Sequence, residues 1–375
     1  MKRHNAHSIC ITVIITLVLS FGSACSQDQN TEADNGEIQV EDLTDGLNHP
    51  WGMAFLPDGR LLVTERSGNL RILSSGNALS EPLNGTPKVF AKGQGGLLDV
   101  ALDPDFKNNQ LVYLAFSEPG QSNMASTAVG RGKLDGNSIK EFTVLFRQEP
   151  KVDGQNHFGG RIVFSQDGKL FLTMGERFKF DPAQDLSNHM GAIVRINPDG
   201  STPSDNPFIN QQNAKPEIWS YGHRNIESAA FDDQGRLWIA EMGPKGGDEL
   251  NQPEAGKNHG WPVVSWGEHY DGKDIPDPPT RPEFTDALIH WTPVISPSGM
   301  VFYTGEMFPE WQGSLLIGGL TAQAIVRVRI DGQNAEEVER IELGARIRDV
   351  EQAPDGSVYV LTDKGNGNIW RLSIR

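Results

Sequence analysis

The sequence predicts an all-β protein, a six-bladed β-propeller, on three observations. A strand–turn–strand unit recurs six times, helical periodicity is scarce, and a strand-like segment ahead of the first unit can pair with the last. The clearest unit runs from Met53 to Thr64, two apolar β-rich runs joined through Asp58-Gly59, the sequence form of a hairpin. The second, from Val100 to Phe116, turns through Asp105 to Asn109 and is weaker because its turn is long. The third runs from Ile162 to Met174 around Asp167-Gly168, and the fourth from Ala230 to Ala240 around Gln234-Gly235. The fifth, from Met300 to Gly318, turns near Gln312-Gly313, and the sixth runs from Val350 to Leu361 around Asp355-Gly356. A hairpin cannot bury its own two faces, whereas blades stacked around an axis bury them against neighbours and leave only short edges. Four strands per blade are expected, with Ile38 to Leu43 completing the blade built from Val350 to Ile374. A two-sheet sandwich is the alternative arrangement of the same strands.

The N-terminal residues read differently. Lys2 and Arg3 precede an apolar run from Ile9 to Leu19, too short to span a bilayer, then Gly22-Ser23-Ala24 and Cys25. That order resembles a bacterial lipoprotein signal, with residues 1–24 removed and Cys25 lipidated; plain cleavage after Ala24 is the alternative. Residues 25–36 read as a polar tether and 37–375 as the propeller, held on the periplasmic side by the lipid alone. The two cysteines, Cys10 and Cys25, both lie in or beside the leader, so cysteine catalysis, zinc–thiolate sites and iron–sulfur clusters are excluded for the folded domain. A formal charge of −16 with no basic run argues against nucleic acid as a partner.

Several loops beside strand-like segments mix glycine with amide, guanidinium or carboxylate groups. In Gln155-Asn156-His157-Phe158-Gly159-Gly160-Arg161 an imidazole that can serve as a general base stands before glycines that admit close backbone approach to a flat ligand. A histidine bonded to a loop carbonyl is the bland reading of the same residues. Further loops hold Gln94, Arg224-Asn225, Gly243-Pro244, Asp248-Glu249, His259, and Arg346 with Arg348. Guanidinium forks suit carboxylates, and glycine carbonyls with a carboxylate suit calcium, so the set fits a planar polyanion with a hard cation. Taken singly, Arg346 and Arg348 would read as exposed ion-pairing residues, Asp248-Glu249 as solvated turn acids, and Tyr270 as an aromatic at the channel edge.

Gln-Gly-Gly-Leu, His-Phe-Gly-Gly-Arg, Tyr-Gly-His-Arg-Asn, Gly-Pro-x-Gly-Gly-Asp-Glu, Gly-Lys-Asn-x-Gly-Trp-Pro and Arg-x-Arg-Asp-Val occur in this order between Leu43 and Leu372. In them the chain resembles the soluble pyrroloquinoline-quinone (PQQ)-dependent aldose sugar dehydrogenases and the related soluble glucose dehydrogenases. The resemblance implies a six-bladed propeller that oxidises the anomeric carbon of aldoses to the lactone, with His157 as the base. It implies that Gln94, Asn156, Arg224, Asn225, Tyr270, Arg346 and Arg348 hold the quinone, with Gln184 a further contact. The carbonyls of Gly243 and Pro244 would bind the quinone's calcium, Glu249 and the His259 carbonyl a second calcium, and Asp248 would orient a cationic neighbour.

The chain departs from the family's pattern at Met242, at Ile226-Glu227-Ser228, in the loop from Gly175 to Phe180, and at Thr321, where some members have a lysine. Asn156, where the glucose enzyme has an acid, would hold His157 without a charge. Other readings of the residues are a calcium-dependent sugar-lactone hydrolase and a non-catalytic carbohydrate-binding lipoprotein. An electron acceptor is required but not identified, and monomer and homodimer are both open.

Overall fold

The computed structural model describes residues 37–375, which form one unit; the leader, Cys25 and the tether lie outside them. Six antiparallel sheets are arranged as a β-propeller, and the six expected hairpins are the two inner strands of each blade. The innermost strands are Pro50–Phe55, Leu97–Leu102, Gly159–Phe164, Ile226–Phe231, Pro297–Phe302 and Ile347–Gln352. They border one another in sequence order and the last meets the first, which closes the ring. The strand Ile38–Leu47 pairs antiparallel with Gly367–Ile374, Ile38 opposite Ile374, so the sixth blade is made from both ends of the described chain.

Five blades have four strands; the first has three, Pro50–Phe55, Leu61–Glu65 and Leu70–Leu73. The expectation of a fourth strand there fails for a local reason. The following stretch makes a single bridge, Leu73 to Leu79, and then only isolated backbone bonds, from Ser80 N to the Ile72 carbonyl and from Leu83 N to the Leu70 carbonyl, each at 2.8 Å, with side chains taking further ladder positions. Arg71 Nε donates to the Ser80 carbonyl at 2.5 Å, Ser80 Oγ accepts from Ile72 N at 2.9 Å, and Pro82 has no N–H to offer. The two long turns are also built differently from Asp-Gly hairpins. Phe106–Asn109 is a short helix, and Pro309–Trp311 a single 3-10 turn whose Trp311 stacks on Phe308 at 4.0 Å.

The core is divided into one apolar cluster per interface between neighbouring blades. Leu62 and Leu70 meet Val100 and Leu114 between the first and second blades, and Tyr113 and Val129 meet Ile162 and Leu172 between the second and third. Ile193 meets Ile239 across the next interface, Trp238 meets Met300, Leu316 meets Val350, and Leu361 meets Met53. Fully burying one such side chain is worth about 1.5–3 kcal/mol, which no single blade gains alone.

Polar groups line the axis. Arg161 reaches Asp99 at 3.0 Å and Asp349 at 2.9 Å and stacks over Trp51, so it ties its own blade to three others. A Cβ on Gly299 would stand 1.6 Å from Asp349 Oδ1, so glycine there makes room for the buried carboxylate.

Candidate active site

In blades whose innermost strand comes first, loops entering that strand and loops joining the second strand to the third emerge at the same end of the channel. The short hairpin turns lie at the opposite end. The loops holding Gln94, His157, Arg224, Gly243-Pro244 and Arg346 are of the first two kinds and line one cleft; Tyr270 and His259 lie on the long connection between Asp248–Asn251 and Ile289–Trp291, from which Tyr270 reaches the cleft and His259 does not. Its larger lobe, about 620 Å3, is walled by Gln94, His157, Arg224, Gly243, Pro244 and Tyr270 among others. Its smaller lobe, about 360 Å3, is walled by Arg66, Glu227, Thr321, Arg346, Arg348 and Asp363. Gln94, Met242 and Ser296 belong to both.

His157 enters the larger lobe from a backbone at φ +53°, a left-handed conformation unusual for a non-glycine residue. Its N–H donates to Gln94 Oε1 at 2.6 Å, and its Nδ1 lies 2.6 Å from Glu176 Oε1. Glu176 is fully buried, and its other oxygen accepts from the N–H groups of Lys179 and Phe180. Nδ1 therefore carries the proton and Nε2 is the basic nitrogen. Burial holds the imidazole below its ordinary pKa against the opposing pull of Glu176, so it stands neutral, as a base must.

Glu176 is the functional residue that sequence reasoning missed. The expectation put the orienting position at Asn156, but that side chain is exposed and away from the cleft, and only its carbonyl is used, by Arg177 Nε at 3.0 Å. The signal lay in the unusual Gly175–Phe180 loop, where a carboxylate follows directly on a buried strand. The paired glycines also act otherwise than expected. A Cβ on Gly159 would come within 2.8 Å of Met174 backbone and one on Gly160 within 2.6 Å of Leu98, so both admit protein and not ligand.

Arg224 donates to the Met242 carbonyl at 2.9 Å and to Tyr270 Oη at 3.3 Å; Tyr270 is 64% exposed and forms the rim. Asn225 is buried behind the wall, its Oδ1 accepting from Gly159 N at 3.1 Å and its Nδ2 donating to Glu227 Oε1 at 3.1 Å. Gln184 is turned to Asn258 and the Trp261 carbonyl and does not line the cleft. Arg346 and Arg348 do line the smaller lobe, and both are ion-paired there. Asp363 Oδ2 lies 3.1 Å from each, and Glu227 Oε2 lies 2.5 Å from Arg348. Burial opposes the charge on Arg348, but the two carboxylates raise its pKa above the ordinary value. Arg66 and Asp363, also missed from sequence, complete this lobe.

The loop carrying Gly243 and Pro244 is pinned by Asp248. Its carboxylate accepts from Gly243 N at 2.8 Å and Ser296 N at 2.6 Å, so it orients backbone rather than a cationic neighbour. Behind this loop a void of about 10 Å3, room for about one water molecule, is walled by Glu241, Glu249 and His259 among others. Burial and then the charge of Glu241 push Glu249 up to about 8. Both ring nitrogens of His259 are buried without a partner among the described residues, and the ring stacks on His223 at 4.4 Å. Glu241 is buried and Glu249 half-buried beside these unsatisfied polar atoms, while no group of three or more His, Cys, Asp or Glu among the described residues is arranged to hold a metal ion.

Fold and cleft together define the class, a propeller whose channel mouth carries an oriented neutral histidine beside a wall of arginines. Residues 47–371 match the profile of the Glucose / Sorbosone dehydrogenase family, and the chain belongs to that family. It is 44% identical over 348 residues to the aldose sugar dehydrogenase YliI of Escherichia coli strain K12, across 90% of this chain and 93% of that protein. Among solved structures it is similar to the apo-form of the soluble aldose sugar dehydrogenase of Escherichia coli, with TM-score 0.86 and 43% identity over 90% of this chain and 100% of that one. It is also similar to the PQQ-bound form of an aldose sugar dehydrogenase from Streptomyces coelicolor, with TM-score 0.74 and 29% identity over 91% and 99% of the two chains.

Proposed function

We propose that this chain oxidises aldose sugars at the anomeric carbon to the lactone, with PQQ as hydride acceptor and calcium as its metal. The observation that carries the reading is the His157–Glu176 pair at 2.6 Å in a cleft walled by Arg66, Arg224, Arg346 and Arg348. Buried Nε atoms of Arg66, Arg224 and Arg348 have no partner among the described residues, which suits an anionic planar ligand. Gln94, Arg224, Tyr270, Arg346 and Arg348 would hold the quinone, and the carbonyls of Gly243 and Pro244 its calcium. When bound, the quinone supplies the acceptor for the anomeric hydride and calcium polarises it.

The chain's own part is proton transfer and placement. His157 Nε2 takes the proton of the anomeric hydroxyl, and Glu176 holds the tautomer that leaves Nε2 free and stabilises the imidazolium that results. Asn225, through Gly159, fixes the loop on which the imidazole stands. The Glu249–His259 void would hold a second calcium with a structural role. The leader adds an exported, lipid-anchored location, checked by the mass of the mature N-terminus.

The test is to titrate purified protein with PQQ and calcium, follow the quinone absorbance, then add an aldose and measure dye reduction and lactone. Quinone binding followed by sugar-dependent bleaching is expected. Failure to bind the quinone would favour a carbohydrate-binding protein, and lactone hydrolysis without quinone would favour the hydrolase.

A further inference from the structure

The smaller lobe of the cleft is not a bare cationic pocket. Three guanidinium groups, Arg66, Arg346 and Arg348, share it with two carboxylates, Glu227 and Asp363. Arg348 and Glu227 meet at 2.5 Å with side chains 8% and 6% exposed, so their charges are scarcely screened by water. Glu227 is held in place from behind. Its Oε1 accepts from Asn225 Nδ2 at 3.1 Å, and its carbonyl accepts from Arg161 Nε at 2.9 Å. It cannot swing away without breaking the link to the loop that carries His157. Any ligand carboxylate that approaches Arg348 therefore meets a guanidinium already neutralised, with a like charge fixed beside it.

We propose that Glu227 is a resident counter-anion that fixes Arg348 in the ligand-free chain and limits how tightly the cleft holds an anionic, planar polycarboxylate such as PQQ; the proposal rests on the quinoprotein reading above. Without Glu227's charge, the lobe would hold three cations against one carboxylate instead of two. The residue thus exchanges cofactor affinity for a cleft that stays ordered when empty. Without it the buried Arg348 would keep only Asp363, a carboxylate it shares with Arg346, against the cost of lost hydration.

The experiment measures PQQ affinity, not turnover. Wild type, Glu227→Gln and Glu227→Asp are titrated with PQQ at fixed calcium, following emission of Trp51, which lines the same lobe, together with the melting temperature without quinone. Glutamine keeps an oxygen for Asn225 and loses the charge, so PQQ should bind about ten- to a hundredfold more tightly, while the quinone-free protein melts lower. Aspartate keeps the charge and should bring no such gain, whereas a purely structural role would weaken binding in both variants. If Glu227→Gln does not fold, Asp363→Asn removes the other carboxylate of the lobe and should tighten binding in the same direction. Unchanged or weaker PQQ binding on loss of the charge overturns the proposal while leaving the quinoprotein reading intact. Absence of PQQ binding in wild type and variants alike overturns both.

Discussion

Replacing Glu176 with glutamine should disable the histidine without displacing it. Glu176 Oε2 accepts two backbone N–H groups, from Lys179 and Phe180, so a glutamine must keep its oxygen there. Its amide nitrogen is then forced to the position of Oε1, 2.6 Å from His157 Nδ1. That nitrogen donates, so Nδ1 must accept and the ring proton moves to Nε2, the atom that should take the substrate's proton. The carboxylate that stabilises the imidazolium is lost as well. Coulomb's law at this separation gives about 6 kcal/mol at an effective dielectric constant of about 20, and the burial of both groups offsets much of it. What remains should match the contribution of a positioned base, about 3–5 kcal/mol or a hundred- to ten-thousandfold in kcat. Steady-state dye reduction at saturating PQQ and calcium reads the loss, with the PQQ isotherm and melting temperature as controls. A variant that binds PQQ normally and turns over within tenfold of wild type would refute both the tautomer argument and the role of His157.

His157→Ala should lower turnover by about a hundred- to ten-thousandfold with quinone binding and folding nearly unchanged, and near-wild-type turnover would remove the base from the reaction. Because burial depresses the His157 pKa, the neutral, active form persists below the ordinary value of about 6.5, and activity is lost only as pH falls through the depressed value. A kcat profile already half-lost above pH 7 would contradict this. Chelator should abolish turnover, and Glu249→Gln should shrink the calcium-induced rise in melting temperature more than it lowers activity at saturating calcium and PQQ. A calcium shift of wild-type size in that variant would count against the second metal site.

The six hairpins were legible because alternation and turn chemistry are local. Asp58-Gly59 and Asp355-Gly356 announce their turns whatever the rest of the chain does. The missing fourth strand of the first blade was not, because the stretch that runs beside Leu70–Leu73 keeps only isolated backbone bonds to it, through Ser80 N and Leu83 N, a spacing that no local pattern announces. The same division holds at the site. His157, Arg224, Arg346 and Arg348 stand in recognisable loops, but Glu176, Arg66 and Asp363 sit at strand ends whose residues look generic until the ring closes. Glu227 was visible as a departure, yet its partner Arg348 lies 121 residues away. Asn156 and Gln184 show the converse, since sequence adjacency to a site loop placed them near the cleft and the backbone turned them from it.

The rigidity of the base comes from neighbours that hold an unfavourable backbone in place. His157, Arg177, Phe178 and Phe180 all have φ between +53° and +65° without being glycine, in two loops that touch. Each such residue costs of order 1–3 kcal/mol and persists only where its surroundings over-determine it. Here they do. Gln94 takes the His157 N–H, Asn225 takes that of Gly159, and Glu176 takes those of Lys179 and Phe180. Arg177 meanwhile donates to the carbonyls of Asn156, Ala125 and Gly154 while stacking 3.7 Å over Phe158. Gln94, Asn225 and Glu176 stand on connections of different blades, so blade packing fixes the imidazole as firmly as the core fixes the ring. This explains why the orienting carboxylate need not stand beside the histidine in sequence. A propeller can recruit it from the far end of the same hairpin, where one side chain serves both as a cap for the strained loop and as the partner of the base.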